Sequence, residues 1–347
     1  MKVGTGVMGD LERVGRVTSR AEEQGYDFIS CGELSHDSIL TMCVAATASE
    51  RIELQTSVTI AFPRAPMILA MEAWDLQKFS QGRFILGLGS QVKGHNERRF
   101  STPWSAPAPR MKDYIRTLHA IWESFQSGAP ADYHGSAYQF SLMTPNFNPG
   151  PIDFRRPKVF LAVVGEAMAR VAGEVADGVM PHGFMTDKYM REVLLPNVKI
   201  GLDRAGRSWE DIEITGGGFT VFGESEEEIE TKLDGLRRPI SFYGSTRSYH
   251  EVFAVHGWRS LGEELHALSV RGQWEEMARI IPEDVLRGFA QTSTYDGLPD
   301  FVRQKREYAS RIGLGMPART QSERARLSEV LEQVQAVETP GIPAGLE

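Results

Sequence analysis

The sequence predicts an α/β protein, a single (β/α)8 TIM barrel with insertion segments. Short apolar runs recur along the chain, and a segment with helical spacing follows most of them. The runs are apolar on both faces, as parallel strands are when helices cover both sides of a sheet. Seven strand–helix units are complete by Glu224–Leu236, and Arg311–Met316 supplies an eighth strand. At 347 residues the chain exceeds the roughly 250 of a plain barrel, but no linker-like break divides it into two domains.

The elements follow in order. Val3–Gly6 is a brief strand, and Asp10 then caps a helix ending near Gly25. Tyr26–Ser30 is the second strand and Ile39–Ser49 a small-residue helix. Glu53–Ala61, rich in β-branched residues, is the third strand; Met67–Phe79 is helical and Arg83–Gly89 is the fourth strand. Arg110–Phe125 forms a helix, and residues 133–156 are a Pro/Gly/Asn-rich excursion. Lys158–Val164, Gly178–Met180 and Ile212–Phe222 are strands five to seven, with helices at Met168–Ala176 and Asp187–Ala205. Residues 239–291 form an aromatic insertion before strand eight. The barrel thus spans residues 1–316, and 317–347 read as a C-terminal helix and loose tail.

Lys and Arg number 38 against 46 Asp and Glu, a net charge of −8 that argues against nucleic-acid binding. No run approaches ~18 apolar residues, so no membrane span is expected. The first residues lack the apolar core of a signal peptide, and a cytoplasmic protein is expected. Cys31 and Cys43 are too few for a disulfide scaffold, the histidines lack ligand spacing, and no metal is expected.

Barrel active sites lie at the C-terminal ends of the strands. The second strand runs into Glu33, His36 and Asp37, three ionisable groups suited to proton transfer, although Asp37 can equally cap the next helix. The fourth ends in Gly87-Leu88-Gly89-Ser90-Gln91-Val92, where glycines admit a ligand or simply make a turn. The fifth runs through Val164-Gly165-Glu166-Ala167-Met168 straight into a helix, whose first amides suit a phosphate. His182 stands at the rim after the sixth. Small residues Gln55-Thr56-Ser57-Val58 inside the third leave room for a planar ring, and Arg64, Lys93, Arg98 and Arg99 gather near the same mouth.

RFILGLGSQVKGHNERRF, PKVFLAVVGEAMARVAGEVADGVMPHGF and SVTIAFPRAPMILAMEAWDLQKFSQGR together resemble the bacterial luciferase-like oxidoreductases, and within them the branch using the deazaflavin coenzyme F420. The resemblance covers about residues 1–316 and includes FYGSTRSYHEVFAVHGW in the insertion. It implies a non-proline cis peptide at Ser57-Val58 beside the deazaflavin ring. It also implies contacts of Gly89, Ser90, Gln91 and His95 with the ribityl chain, and a phosphate held by Val164, Gly165, Glu166, Ala167 and Met168. His182 joins the cofactor-binding set. Sugar-phosphate and alcohol dehydrogenases of the family carry an Asp-His pair after strand two; here the order is His36-Asp37, behind Glu33, so His36 is the first candidate acid/base, with Glu33 and Asp37 after it.

The implied activity is hydride transfer between the deazaflavin C5 and a small organic substrate, in a homodimer. Alternatives are an FMN-dependent luciferase-like monooxygenase using O2 and a non-catalytic flavin- or deazaflavin-binding relative. A phosphate-ester lyase is disfavoured, since Gly178-Val179-Met180 offers no lysine in strand six.

Overall fold

The computed structural model describes residues 1–7, 9–305, 307–338 and 346. Its first half alternates strand and helix: β1 (Lys2–Gly6), α1 (Leu11–Glu23), β2 (Phe28–Cys31), α2 (Ser38–Thr47), β3 (Glu53–Thr56), β4 (Thr59–Ile60), α3 (Pro66–Phe79) and β5 (Phe84–Gly89). Then come α4 (Lys93–Arg98), α5 (Pro107–Ser127), a hairpin of β6 (Tyr133–His134) and β7 (Gln139–Phe140), β8 (Lys158–Val163), α6 (Glu166–Val175) and β9 (Gly178–Pro181). A helix follows as α7 (Asp187–Tyr189), a π-helical stretch at Met190–Leu194, and α8 (Leu195–Arg204).

The remaining strands are β10 (Glu213–Ile214), β11 (Phe219–Gly223), β12 (Ala290–Thr294) and β13 (Arg311–Gly313). Between β11 and β12 stand α9 (Glu226–Leu233), α10 (Arg237–Gly244), α11 (His250–Ala254), α12 (Arg259–Val270), α13 (Trp274–Arg279) and α14 (Glu283–Phe289). Then α15 (Leu298–Lys305) leads to β13, and α16 (Gln321–Gln335) ends the helices. The expected loose tail lies largely outside the described residues.

Parallel pairing runs β10-β9-β8-β5-β3-β2-β1-β13, with β4 continuing β3 alongside β5. A bridge from Thr215 to Arg311 brings the ends of this order together, so the eight strand positions form a nearly closed barrel. The apolar faces of α1 to α3 and α5 to α8 pack around it and make one core with the strands. Asp10 caps α1 by accepting from the Glu12 amide, as its type predicts.

Two expected strands are each divided. The third breaks at a cis Ser57-Val58 peptide. The seventh breaks at Gly216-Gly217-Gly218, where Gly218 takes φ +95°; such a backbone suits glycine. Only β10 stays in the barrel, while β11 leaves it to pair with β12 in a separate two-stranded sheet. The insertion therefore ends in a strand that pairs with β11, outside the barrel sheet.

The floor of the barrel is charged. Arg311 is fully buried, bonds Glu53 at 2.7 Å and Glu213 at 3.2 Å, and lies 4.2 Å from the Phe28 ring centre. Lys2 and Lys158 take the same two carboxylates from outside. These residues open their strands, so this layer serves the fold and the opposite rim is left for function.

Candidate active site

At the exit of β2 the loop 33–37 is anchored by one cation. Arg64 donates through Nη1 to Glu33 Oε2 at 2.9 Å, and through Nη2 to Glu33 Oε1 at 2.5 Å and Asp37 Oδ2 at 2.6 Å. Glu33 Oε2 also accepts from the Ile60 amide at 2.6 Å, and Asp37 Oδ1 caps α2 through the Leu40 amide. Behind them on α3, burial pushes the Glu72 carboxyl up; Arg64 pulls it down, and Asp37 and Glu33 push it further up. Both candidate carboxylates thus have structural partners. His36 between them is exposed, its Cβ backed by Gly9, where an added Cβ would come within 2.5 Å.

At the exit of β3, the Ser57 amide bonds Cys31 O at 2.6 Å, and the cis peptide follows. Ser57 is exposed and Val58 half-buried, while Gln55 and Thr56 are buried. The room expected beside Gln55 and Thr56 is therefore filled. Thr56 Oγ1 exchanges hydrogen bonds with the Gly87 backbone, and the Gln55 amide contacts Met180 Sδ. Ile85, Phe160 and Met180 fill the interior with Val58 resting on them, so a ring can sit only above this layer.

Gly89 belongs to that seat because Val58 occupies the space a Cβ would need: its Cγ2 is 2.5 Å from that position. Beyond it Gln91 takes φ +56° and accepts from the Val92 amide. Asn96, wholly buried, ties the loop down by donating to Ser90 O and Val92 O. Sequence reasoning missed Asn96, since nothing in the segment marks it from its neighbours. His95 on α4 is exposed. Of the four cations expected near the mouth, Arg64 is engaged as described, Arg99 donates to Leu34 O, and Lys93 faces Glu97.

At the exit of β8, Val164 and Gly165 are all that separate Val163 from α6. Gly165 is the N-cap, makes no side-chain cap bond, and has nothing within 4 Å of where a Cβ would be. The first amides of α6, at Glu166, Ala167 and Met168, thus face open space with the positive end of the helix dipole behind them. Such a helix start could hold a phosphate. With the small surface at Gly89 and Ala162, it could take a flat ring carrying a phosphorylated chain.

His182 stands at the exit of β9. Its Nδ1 accepts from the Phe184 amide at 2.9 Å, and its ring lies 4.6 Å from that of Tyr243 and 5.2 Å from that of Tyr249. Burial pushes the imidazole down to about 4, so it is neutral at physiological pH. Among the described residues, no helix is long and apolar enough to cross a membrane.

A family model described as luciferase-like monooxygenase matches residues 2–314. An uncharacterized protein of Mycobacterium tuberculosis is 39% identical over 88% of this chain and 90% of its own length. A 5,10-methylenetetrahydromethanopterin reductase of Archaeoglobus fulgidus is 23% identical over 85% of each chain. Among solved structures, a coenzyme F420 dependent tetrahydromethanopterin reductase from Methanopyrus kandleri superposes with a TM-score of 0.70. It is 18% identical and is covered over 99% of both chains.

Proposed function

Because the chain belongs to the luciferase-like monooxygenase family, we propose that it is an oxidoreductase using coenzyme F420 and acting on a small organic substrate at the C-terminal mouth of the barrel. The observation that carries this reading is the pairing of the surface of Val58 and Gly89, resting on Ile85, Phe160 and Met180, with the uncapped first turn of α6, which would serve as a ring seat and a phosphate cradle. Similarity to a reductase named for coenzyme F420 supports the deazaflavin reading.

Ser57, Val58 and Gly89 would hold the ring, Ser90, Gln91 and His95 the ribityl chain, and the Val164–Met168 segment the phosphate. When bound, the deazaflavin supplies a carbon centre, C5, that moves two electrons as hydride. His36 is the proton carrier in this reading, because it alone of the three groups after β2 is exposed and without an ion-pair partner among the described residues. Glu33 and Asp37 are positioning residues that act through Arg64 and the α2 cap. The barrel wall and the insertion exclude water and align the substrate.

The test is parallel titration of the purified protein with F420 and with FMN, followed by ring fluorescence. Binding of F420 in the micromolar range or tighter, with weaker FMN binding, is expected. Tight FMN binding with no F420 affinity would overturn the proposal in favour of a flavin monooxygenase.

A further inference from the structure

The rim at the exit of β9 is aromatic. β9 directs Gly178 and Met180 into the barrel: the Phe160 ring fills the place of a Gly178 Cβ, and Met180 packs with Ile85, Phe160 and Val58. Side chains on a strand alternate, and the ladder continues through the His182 amide to Val163 O at 3.1 Å. His182 therefore belongs to the same inward row, one layer above Met180 and level with the mouth. Tyr243 and Tyr249 from the insertion flank its ring, and Phe219 lies 6.3 Å from Tyr243.

Two features give this wall a chemical preference. Nδ1 of His182 is committed as an acceptor to the Phe184 amide, so in the neutral ring the proton sits on Nε2, a donor that no described protein group accepts from. Burial alone lowers its affinity for a proton, and no charged neighbour contributes. A substrate anion would find no charged group acting on this ring. A flat uncharged body would find aromatic faces and edges on three sides, and a neutral acceptor on it would find one fixed N–H.

We propose that His182, Tyr243, Tyr249 and Phe219 form the substrate-selecting wall of the mouth and that it takes flat, uncharged carbonyl compounds, with His182 Nε2–H bonding the carbonyl oxygen. This rests on the oxidoreductase reading for the placement of the substrate, and it moves His182 from the cofactor set to the substrate side.

The test is binding of 2-acetylnaphthalene and of 6-acetyl-2-naphthoate to the purified protein by saturation-transfer NMR and calorimetry, with F420 affinity measured separately by fluorescence. The neutral ketone is expected to bind at least tenfold more tightly than its carboxylate. His182→Phe, which keeps a ring and removes the donor, is expected to weaken the ketone about tenfold and leave F420 affinity within twofold. Tyr249→Ala is expected to weaken it similarly, and circular dichroism checks that each variant is folded. Equal or tighter binding of the carboxylate, no ketone binding, or folded variants that bind the ketone like the parent would overturn the proposal. Loss of F420 affinity in His182→Phe would return His182 to the cofactor set. Failure of F420 to bind the parent protein would instead refute the F420 reading and leave the ketone measurement standing.

Discussion

Arg64 and Glu33, 31 residues apart in sequence, meet in a two-pronged ion pair with bonds of 2.9 and 2.5 Å. The pair joins the loop carrying His36 to the segment just after the cis Ser57-Val58 bulge, since Glu33 also holds the Ile60 amide. A planar guanidinium suits this bidentate contact and a lysine does not. Its consequence is geometric: the proposed proton carrier and the proposed ring seat are held in one frame.

That frame is measurable by a double-mutant cycle. Glu33→Gln and Arg64→Gln should each lower stability, and their coupling energy in urea unfolding should be about 1–3 kcal/mol, as for contacting partners. Additive effects would show that the two loops are held independently.

His36→Ala should lower kcat by roughly 10²–10⁴, the usual worth of a positioned acid or base. F420 affinity, read by fluorescence, should stay within about twofold because His36 makes no part of the ring seat or cradle. Unchanged turnover would remove His36 from the mechanism.

Gly165→Asp separates stability from binding. The N-cap has φ −107° and ψ 163°, open to any residue, with free space around a Cβ. A capping carboxylate in place of glycine should raise helix stability by a few tenths of a kcal/mol. It should also weaken a phosphate-bearing cofactor ~10- to 100-fold by placing like charge in the cradle. A more stable protein with undiminished cofactor affinity would move the phosphate elsewhere.

Acid should destabilise the protein through its buried imidazoles. Burial, and then Arg156 nearby, pushes His119 down to about 3 from an ordinary 6.5. Above pH 6.5 neither the folded nor the unfolded chain is protonated there, and the neutral core is undisturbed. As the pH falls below 6.5 only the unfolded chain takes up the proton, so stability drops until the folded value is reached. Between pH 7 and 5 this removes about 2 kcal/mol. Urea titrations at both pH values should show a smaller drop in His119→Gln; an identical drop would mean that His119 is protonated alike in both states.

The barrel floor gives a stability prediction of another kind. Arg311→Met leaves Glu53 and Glu213 facing each other without their shared cation and should cost about 3–5 kcal/mol. Denaturant midpoints measure this, and a loss below about 1 kcal/mol would mean that Lys2 and Lys158 suffice.

The sequence by itself determined the barrel, because apolar periodicity is a local property: strands such as Phe84–Gly89 read as apolar on both faces wherever they end up in space. It also placed a helix start directly after the fifth strand, since only Val164 and Gly165 separate β8 from α6. Residue identity placed Asp10 and Asp37 as caps for the same local reason. What only the tertiary structure decided involves partners far apart in the chain. Arg64 engages Glu33 and Asp37, Arg311 joins Glu53 to Glu213, and the Gly216–Gly218 break sends β11 out of the barrel to β12. His182 is the clearest case. Its position at a strand exit was legible, but its aromatic neighbours Tyr243 and Tyr249 come from an insertion some 60 residues downstream, and no local pattern encodes a contact made by chain folding back over that distance.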